Sequence, residues 1–77
     1  MPHKKRKIMK TFGRNLRRFR EERGITQDAL AEATGISKST VSKYESGTSD
    51  PPLQYVFTLS RIYGMKPEYF VKDGDTE

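Results

Sequence analysis

Apolar residues recur along this chain at helical spacing. Between Thr11 and Arg23, Phe12, Leu16 and Phe19 fall at i, i+4 and i+7, one face of a helix, while Arg14, Arg17, Arg18 and Glu21 occupy the opposite face. Thr11 is suited to cap this helix and Gly24 to end it in a left-handed conformation. Thr26 is placed to cap a second helix over about Gln27 to Thr34, with Asp28 in its first turn and Leu30, Ala31 and Thr34 facing inward. Gly35 stops it. Ser37 then caps a third helix that runs to about Ser46, with Ile36, Val41 and Tyr44 inward and Gly47 at its end. The run TSDPP signals a turn, and a fourth helix, about Leu53 to Tyr63, buries Leu53, Val56, Leu59, Ser60 and Tyr63. After Gly64, Pro67 opens a short last turn over Glu68 to Val71. Nothing alternates with period two for long enough to form a strand, so the expected fold is all-α, five short helices with connections of two to six residues.

Composition narrows this picture. At 77 residues the chain fits one domain. Residues 1–9, MPHKKRKIM, read as a flexible basic arm, 10–72 as the helical domain and 73–77 as an acidic tail. The absence of cysteine removes disulfides, thiolate metal sites and Cys nucleophiles together. No apolar run approaches the roughly 20 residues of a membrane span, and the basic N-terminus has no apolar stretch behind it. A soluble, cytoplasmic protein is expected, without membrane association. The only histidine, His3, lies in the arm, and no Ser/His/Asp grouping or phosphate-cradling glycine loop is present. An enzyme is therefore not expected, nor is a cofactor, a metal or a small-molecule ligand.

The net charge of +5 is unevenly spread: residues 1–23 carry ten Lys/Arg against two acidic residues, whereas residues 24–77 carry five against eight. One strongly positive region on an otherwise balanced chain points to a polyanionic partner, nucleic acid or an anionic surface.

Helices 2 and 3 sharpen that choice. Their connection, T-G-I-S, has the length and composition of the turn in a helix-turn-helix, and Ala31, four residues before Gly35, is small enough to let the next helix cross closely. With Ile36, Val41 and Tyr44 inward, Lys38, Ser39, Ser42 and Lys43 share one outward face near the start of helix 3, the part of a recognition helix that enters the major groove.

The segment TQDALAEATGISKSTVSKYESG resembles the signature of the lambdoid phage repressor and Cro type, also called the XRE family. The likeness extends from about Phe12 to Val71 and rests on the T-Q opening of helix 2, the L-A pair, the G-I-S turn and the E-x-G close of helix 3, followed by a Pro turn and a fourth apolar helix. It implies a compact five-helix bundle of the lambda-repressor-like type. It also implies binding to double-stranded DNA, most simply as a repressor that meets a palindromic operator as a homodimer. Position by position, Gln27 is similar to the residue that binds a phosphate and braces the recognition helix. Lys38, Ser39 and Lys43 occupy base-reading positions, and Ser37, Thr40 and Ser46 occupy positions that touch backbone phosphates. Arg20 and Glu45 match a structural ion pair between helices 1 and 3. Arg14, on the outer face of helix 1, is expected to add a sequence-independent phosphate contact.

The reading positions depart from the glutamine-rich pattern of the best-known members. Lysine donates hydrogen bonds and cannot accept them, so Lys38 and Lys43 favour guanine O6 and N7, the alternative for one or both being phosphate neutralisation alone, whereas Ser39 carries little base preference. A guanine-containing half-site is expected. The HKKRK run is suited to phosphate contact. On helix 4, Tyr55 and Ile62, with Phe57, lie off the expected core stripe, and with Tyr69 they suggest a homodimer interface unless the last turn covers them. The alternative within the same fold is the antitoxin or controller protein of a two-gene module, which binds its own promoter and a partner protein.

Overall fold

The computed structural model describes the backbone of residues 3–72 and the side chains of residues 11–72. The expected acidic tail, 73–77, and the side chains of the expected basic arm lie outside the described residues. Five helices follow one another: α1 (His3–Glu22), α2 (Gln27–Thr34), α3 (Lys38–Ser46), α4 (Leu53–Tyr63) and α5 (Pro67–Val71). Each packs mainly on two others, and the order round the core is α1, α3, α2, α4, α5 and back to α1.

The caps explain most boundaries. Thr26 accepts the Ala29 amide at 3.0 Å to open α2, and Ser37 accepts the Thr40 amide at 3.1 Å to open α3. Gly35 closes α2 with φ 77°, and the Ala31 carbonyl takes both the Gly35 and the Ile36 amides, at 2.9 and 3.1 Å. Only glycine adopts this left-handed conformation without steric cost, so the three-residue reversal into α3 depends on it. Ala31 is buried at the crossing, as its spacing suggests.

One boundary differs from the sequence expectation. α1 begins at His3 rather than at Thr11, so residues 3–9 continue the helix instead of forming an arm without secondary structure. The lysines and arginines of this stretch are good helix formers, and neither proline nor glycine interrupts it. The hydrophobic pattern does not reveal the extension because HKKRK has no apolar residue to set a helical period. Thr11 is consequently buried inside the helix and is not its cap.

The core is small and strongly aromatic. Phe12, Leu16, Phe19, Leu30, Val41, Leu59 and Phe70 are fully enclosed, each contributing roughly 1.5–3 kcal/mol of hydrophobic transfer free energy for the larger side chains. Phe12 meets Tyr44 edge to face at 6.0 Å, and Phe19 meets Tyr63 and Phe70 at 5.1 and 5.3 Å. α4 turns differently from expectation. Tyr55 is buried, and its hydroxyl lies 3.0 Å from that of Thr34, whereas Leu53 is 68% exposed. Thr34 donates its own hydrogen to the Leu30 carbonyl, so Tyr55 is the donor of the pair. Tyr55 is thus a core residue that ties α4 to α2 and is withdrawn from any patch that α4 offers to a second subunit. Phe57, Ile62 and Val71 are exposed, and Tyr69 is half-buried over Phe19 and Phe70.

Two residues that the hydrophobic pattern passes over set how α1 sits. Asn15 is buried; its amide donates to the Phe70 and Lys72 carbonyls, both at 2.9 Å, and its oxygen accepts from Arg18 at 3.0 Å. It satisfies two carbonyls at the end of α5 that have no partner within that helix. Gly13 lies against the last turn of α3, where the Tyr44 and Glu45 carbonyls occupy the space of a side chain.

Candidate nucleic-acid interface

The sequence of α3 divides the helix by role. Val41 and Tyr44 are buried and fix one side to the core. At 100° per residue, this leaves Ser39, Ser42, Lys43 and Ser46 along the other side, all exposed, with Lys38 at its N-terminal edge. Ser37 is held by its cap and by a 2.9 Å bond with the Thr40 hydroxyl. Lys38 reaches Asp28 of α2 at 3.8 Å in an ion pair whose partners are 61% and 74% exposed. Such a pair in solvent contributes little and leaves the ammonium free to exchange partners.

Glu45 anchors the helix from beneath. Its side chain is 5% exposed and receives three donors: Arg20 Nε at 2.6 Å, Arg20 Nη2 at 3.1 Å and Gln27 Nε2 at 3.0 Å. The forked, two-bond match of guanidinium to carboxylate fixes orientation as well as distance. The bond to Glu45 holds the Arg20 guanidinium charged, raising its pKa above the ordinary value against the opposing effect of burial. Arg20 also donates to the Ile25 carbonyl at 2.9 Å, so one side chain joins α1, the α1–α2 connection and α3.

Gln27 therefore braces α3 through Glu45, and one amide hydrogen of its Nε2 remains for another acceptor. Ser46 is already engaged. Its hydroxyl donates to the Lys43 carbonyl at 3.1 Å and lies 2.7 Å from that of Thr48, which must then be the donor. Arg17, Arg20, Gln27, Ser42, Glu45 and Ser46 together line an open cleft of about 250 Å³ between α1, the start of α2 and α3. Arg14 is exposed on α1 but does not line this cleft. Arg17 does. Sequence reasoning placed it on the outer face without a role; the missing signal was the side of α1 on which α3 packs.

No described helix is long and apolar enough to cross a membrane. Residues 16–70 match the model of the HTH_3 family, described as helix-turn-helix. Over 65 residues the chain is 35% identical to the cryptic phage CTXphi transcriptional repressor RstR of Vibrio cholerae, covering 84% of this chain and 59% of that protein. An HTH-type transcriptional regulator of Methanocaldococcus jannaschii is 33% identical over 61 residues, 78% of this chain and 92% of its own length. The chain spans little more than half the length of the phage and prophage relatives it matches. Among solved structures, the restriction-modification controller protein C.AhdI from Aeromonas hydrophila superposes with a TM-score of 0.77 at 26% identity, over 84% of this chain and 94% of that one. Helix order, the braced and exposed third helix and these matches agree: the chain belongs to the HTH_3 (XRE, Cro/C1-type) helix-turn-helix family of DNA-binding transcriptional regulators, which are not enzymes.

Proposed function

We propose that this chain is a transcriptional repressor that binds a palindromic operator as a homodimer, with Lys38, Ser39 and Lys43 directed at base edges. The observation that carries the reading is the third helix itself: buried on one side, pinned from beneath by Arg20, Gln27 and Glu45, and presenting only hydroxyls and ammonium groups outward. Such a surface donates hydrogen bonds and neutralises charge, which suits guanine edges and phosphates. Ser37 and Thr40, at the N-terminus of α3, are suited to the adjacent backbone, where the free amides of the first turn add to them. Ser46 reaches a phosphate only by giving up its bond to Lys43. Ile62, Phe57 and Val71, with half-buried Tyr69, supply apolar surface for a second subunit.

The similarity to a controller protein over nearly that protein's whole length supports a second reading, a controller or antitoxin of a two-gene module. Selection of binding sites from random duplex DNA tests the main reading. It is expected to return inverted repeats with guanine in each half-site and half-sites about one turn (roughly 34 Å) apart. Equal affinity for all duplexes in moderate salt would refute sequence-specific recognition. Single half-sites would refute the dimer, and a selected sequence whose genomic matches lie only upstream of the chain's own gene would favour the controller reading.

A further inference from the structure

The arginines between residues 17 and 23, in the last turns of α1 and just after it, separate by what they touch. Arg20 is committed to Glu45 and Ile25. Arg18 bonds Asn15 and lies over the Tyr69 ring at 5.9 Å, on the α5 side. Arg23 lies over Phe19 at 4.7 Å and meets the Met65 sulfur. Arg17 alone of these four places an exposed guanidinium at the cleft beside α3.

We propose that Arg17 is a DNA-phosphate ligand and that, with Gln27 and Ser42, it forms a cradle for one backbone phosphate flanking the groove that α3 enters. The inference rests on the DNA-binding reading above and adds to it the residue that supplies the cradle's charge. Three features support it. First, the donors converge: Arg17 meets Glu21 through Nε at 3.2 Å, and Gln27 has an amide hydrogen left after bonding Glu45; among the described residues both Arg17 Nη groups are uncommitted and the Ser42 hydroxyl makes no hydrogen bond. Ser46 forms a wall but has no hydrogen to give. Second, the floor of the cleft is electrically quiet, because the Glu45 carboxylate that would repel a phosphate is paired with Arg20. Third, the partner Arg17 has now is weak and replaceable. Its bond to Glu21 is an i, i+4 pair with both side chains more than half exposed, at 63% and 57%. A backbone phosphodiester offers a guanidinium two non-bridging oxygens, a bidentate match like that of a carboxylate and with the same single negative charge. DNA would therefore exchange Glu21 for phosphate with little disturbance of the protein.

Arg14 and Arg17 are sixty degrees apart round α1, so the helix turns one of them to the α3 flank and the other past it. The phosphate contact expected of Arg14 on sequence grounds accordingly passes chiefly to Arg17.

The test is a salt titration of wild type, R17A, R14A and E21Q on one selected duplex, combined with a scan in which single phosphates are replaced by neutral methylphosphonates. R17A is expected to bind about tenfold more weakly to cognate and random DNA alike, with the slope of log K against log salt reduced by about 0.9. R14A is expected to lose less, and E21Q to gain about two- to fivefold. One methylphosphonate position should weaken wild type but not R17A. Wild-type slope and affinity in R17A, or an unchanged methylphosphonate profile, would overturn the cradle while leaving recognition by α3 intact. Failure of wild type to bind any duplex would overturn both. Arg17 is 63% exposed, so its loss is expected to leave thermal unfolding unaltered, and that measurement on R17A separates a lost contact from a lost fold.

Discussion

Replacing Gly13 by alanine sets two physical effects against each other with opposite signs. Within a helix, alanine is favoured over glycine by about 1 kcal/mol, so a freely exposed α1 would be stabilised. In this fold the added methyl would lie on the Tyr44 carbonyl oxygen, 2.7 Å from the Glu45 carbonyl oxygen and 3.0 Å from its carbon. These are backbone atoms of α3, and no side-chain rotation relieves them; the end of α3 must withdraw until the contacts reach an ordinary 3.4 Å or more. That movement loosens Tyr44 against Phe12 and stretches the Arg20–Glu45 pair, which sits at the same turn. Overpacking of this kind costs about 1–3 kcal/mol, and the rigidity of both obstacles argues for the upper part of that range. The expected net effect is a loss of about 1–2 kcal/mol, a fall in Tm of roughly 5–15 °C for a domain of this size. Thermal and urea unfolding followed by circular dichroism measures it directly. An unchanged or raised Tm would show that helix propensity outweighs the contact and that α1 and α3 do not meet as closely as described. G13S is expected to be at least as destabilised as G13A, since it lacks most of alanine's propensity gain and adds a hydroxyl.

Two further perturbations bear on the polar scaffold and on pH. Arg20→Met leaves the Glu45 carboxylate buried with Gln27 as its one remaining donor among those described; breaking a buried pair this way costs about 3–5 kcal/mol, and R20M combined with E45L should recover part of it in urea unfolding, whereas equal loss in both would mean the pair is not what holds α3. Burial pushes the Tyr55 phenol up to about 12 from an ordinary 10. A folded-state pKa above the unfolded one means that the stability is fully present below pH 10 and is lost as pH rises from 10 through 12, a change of about 2–3 kcal/mol. Y55F should flatten that alkaline loss in urea titrations without abolishing it, because burial raises Tyr44 as well, and an unaltered pH profile would count against burial of the Tyr55 hydroxyl.

Local chemistry made much of this protein legible from its residues. The caps at Thr26 and Ser37, the left-handed Gly35 and the i, i+4, i+7 spacing of Phe12, Leu16 and Phe19 act within a turn or two of chain, so they declare α2, α3 and the inward side of α1 without reference to distant residues. The G-I-S turn and the outward Lys38, Ser39 and Lys43 belong to the same class, and the candidate reading surface was accordingly visible in advance. Helix packing decided the rest. Which flank of α1 meets α3 separates Arg17 at the cleft from Arg14 outside it, and it turns Gly13 from a weak helix former into a required gap. The rotation of α4 buries Tyr55 against Thr34 and exposes Leu53, an assignment its apolar pattern leaves open because that helix carries more hydrophobic residues than one face can bury. Asn15 looks like any polar helix residue until α5 arrives with two carbonyls that lack partners. Periodicity specifies a direction relative to a single helix axis. The azimuth of one helix against another is set by contacts between residues far apart in the chain, and the cleft exists only at that level.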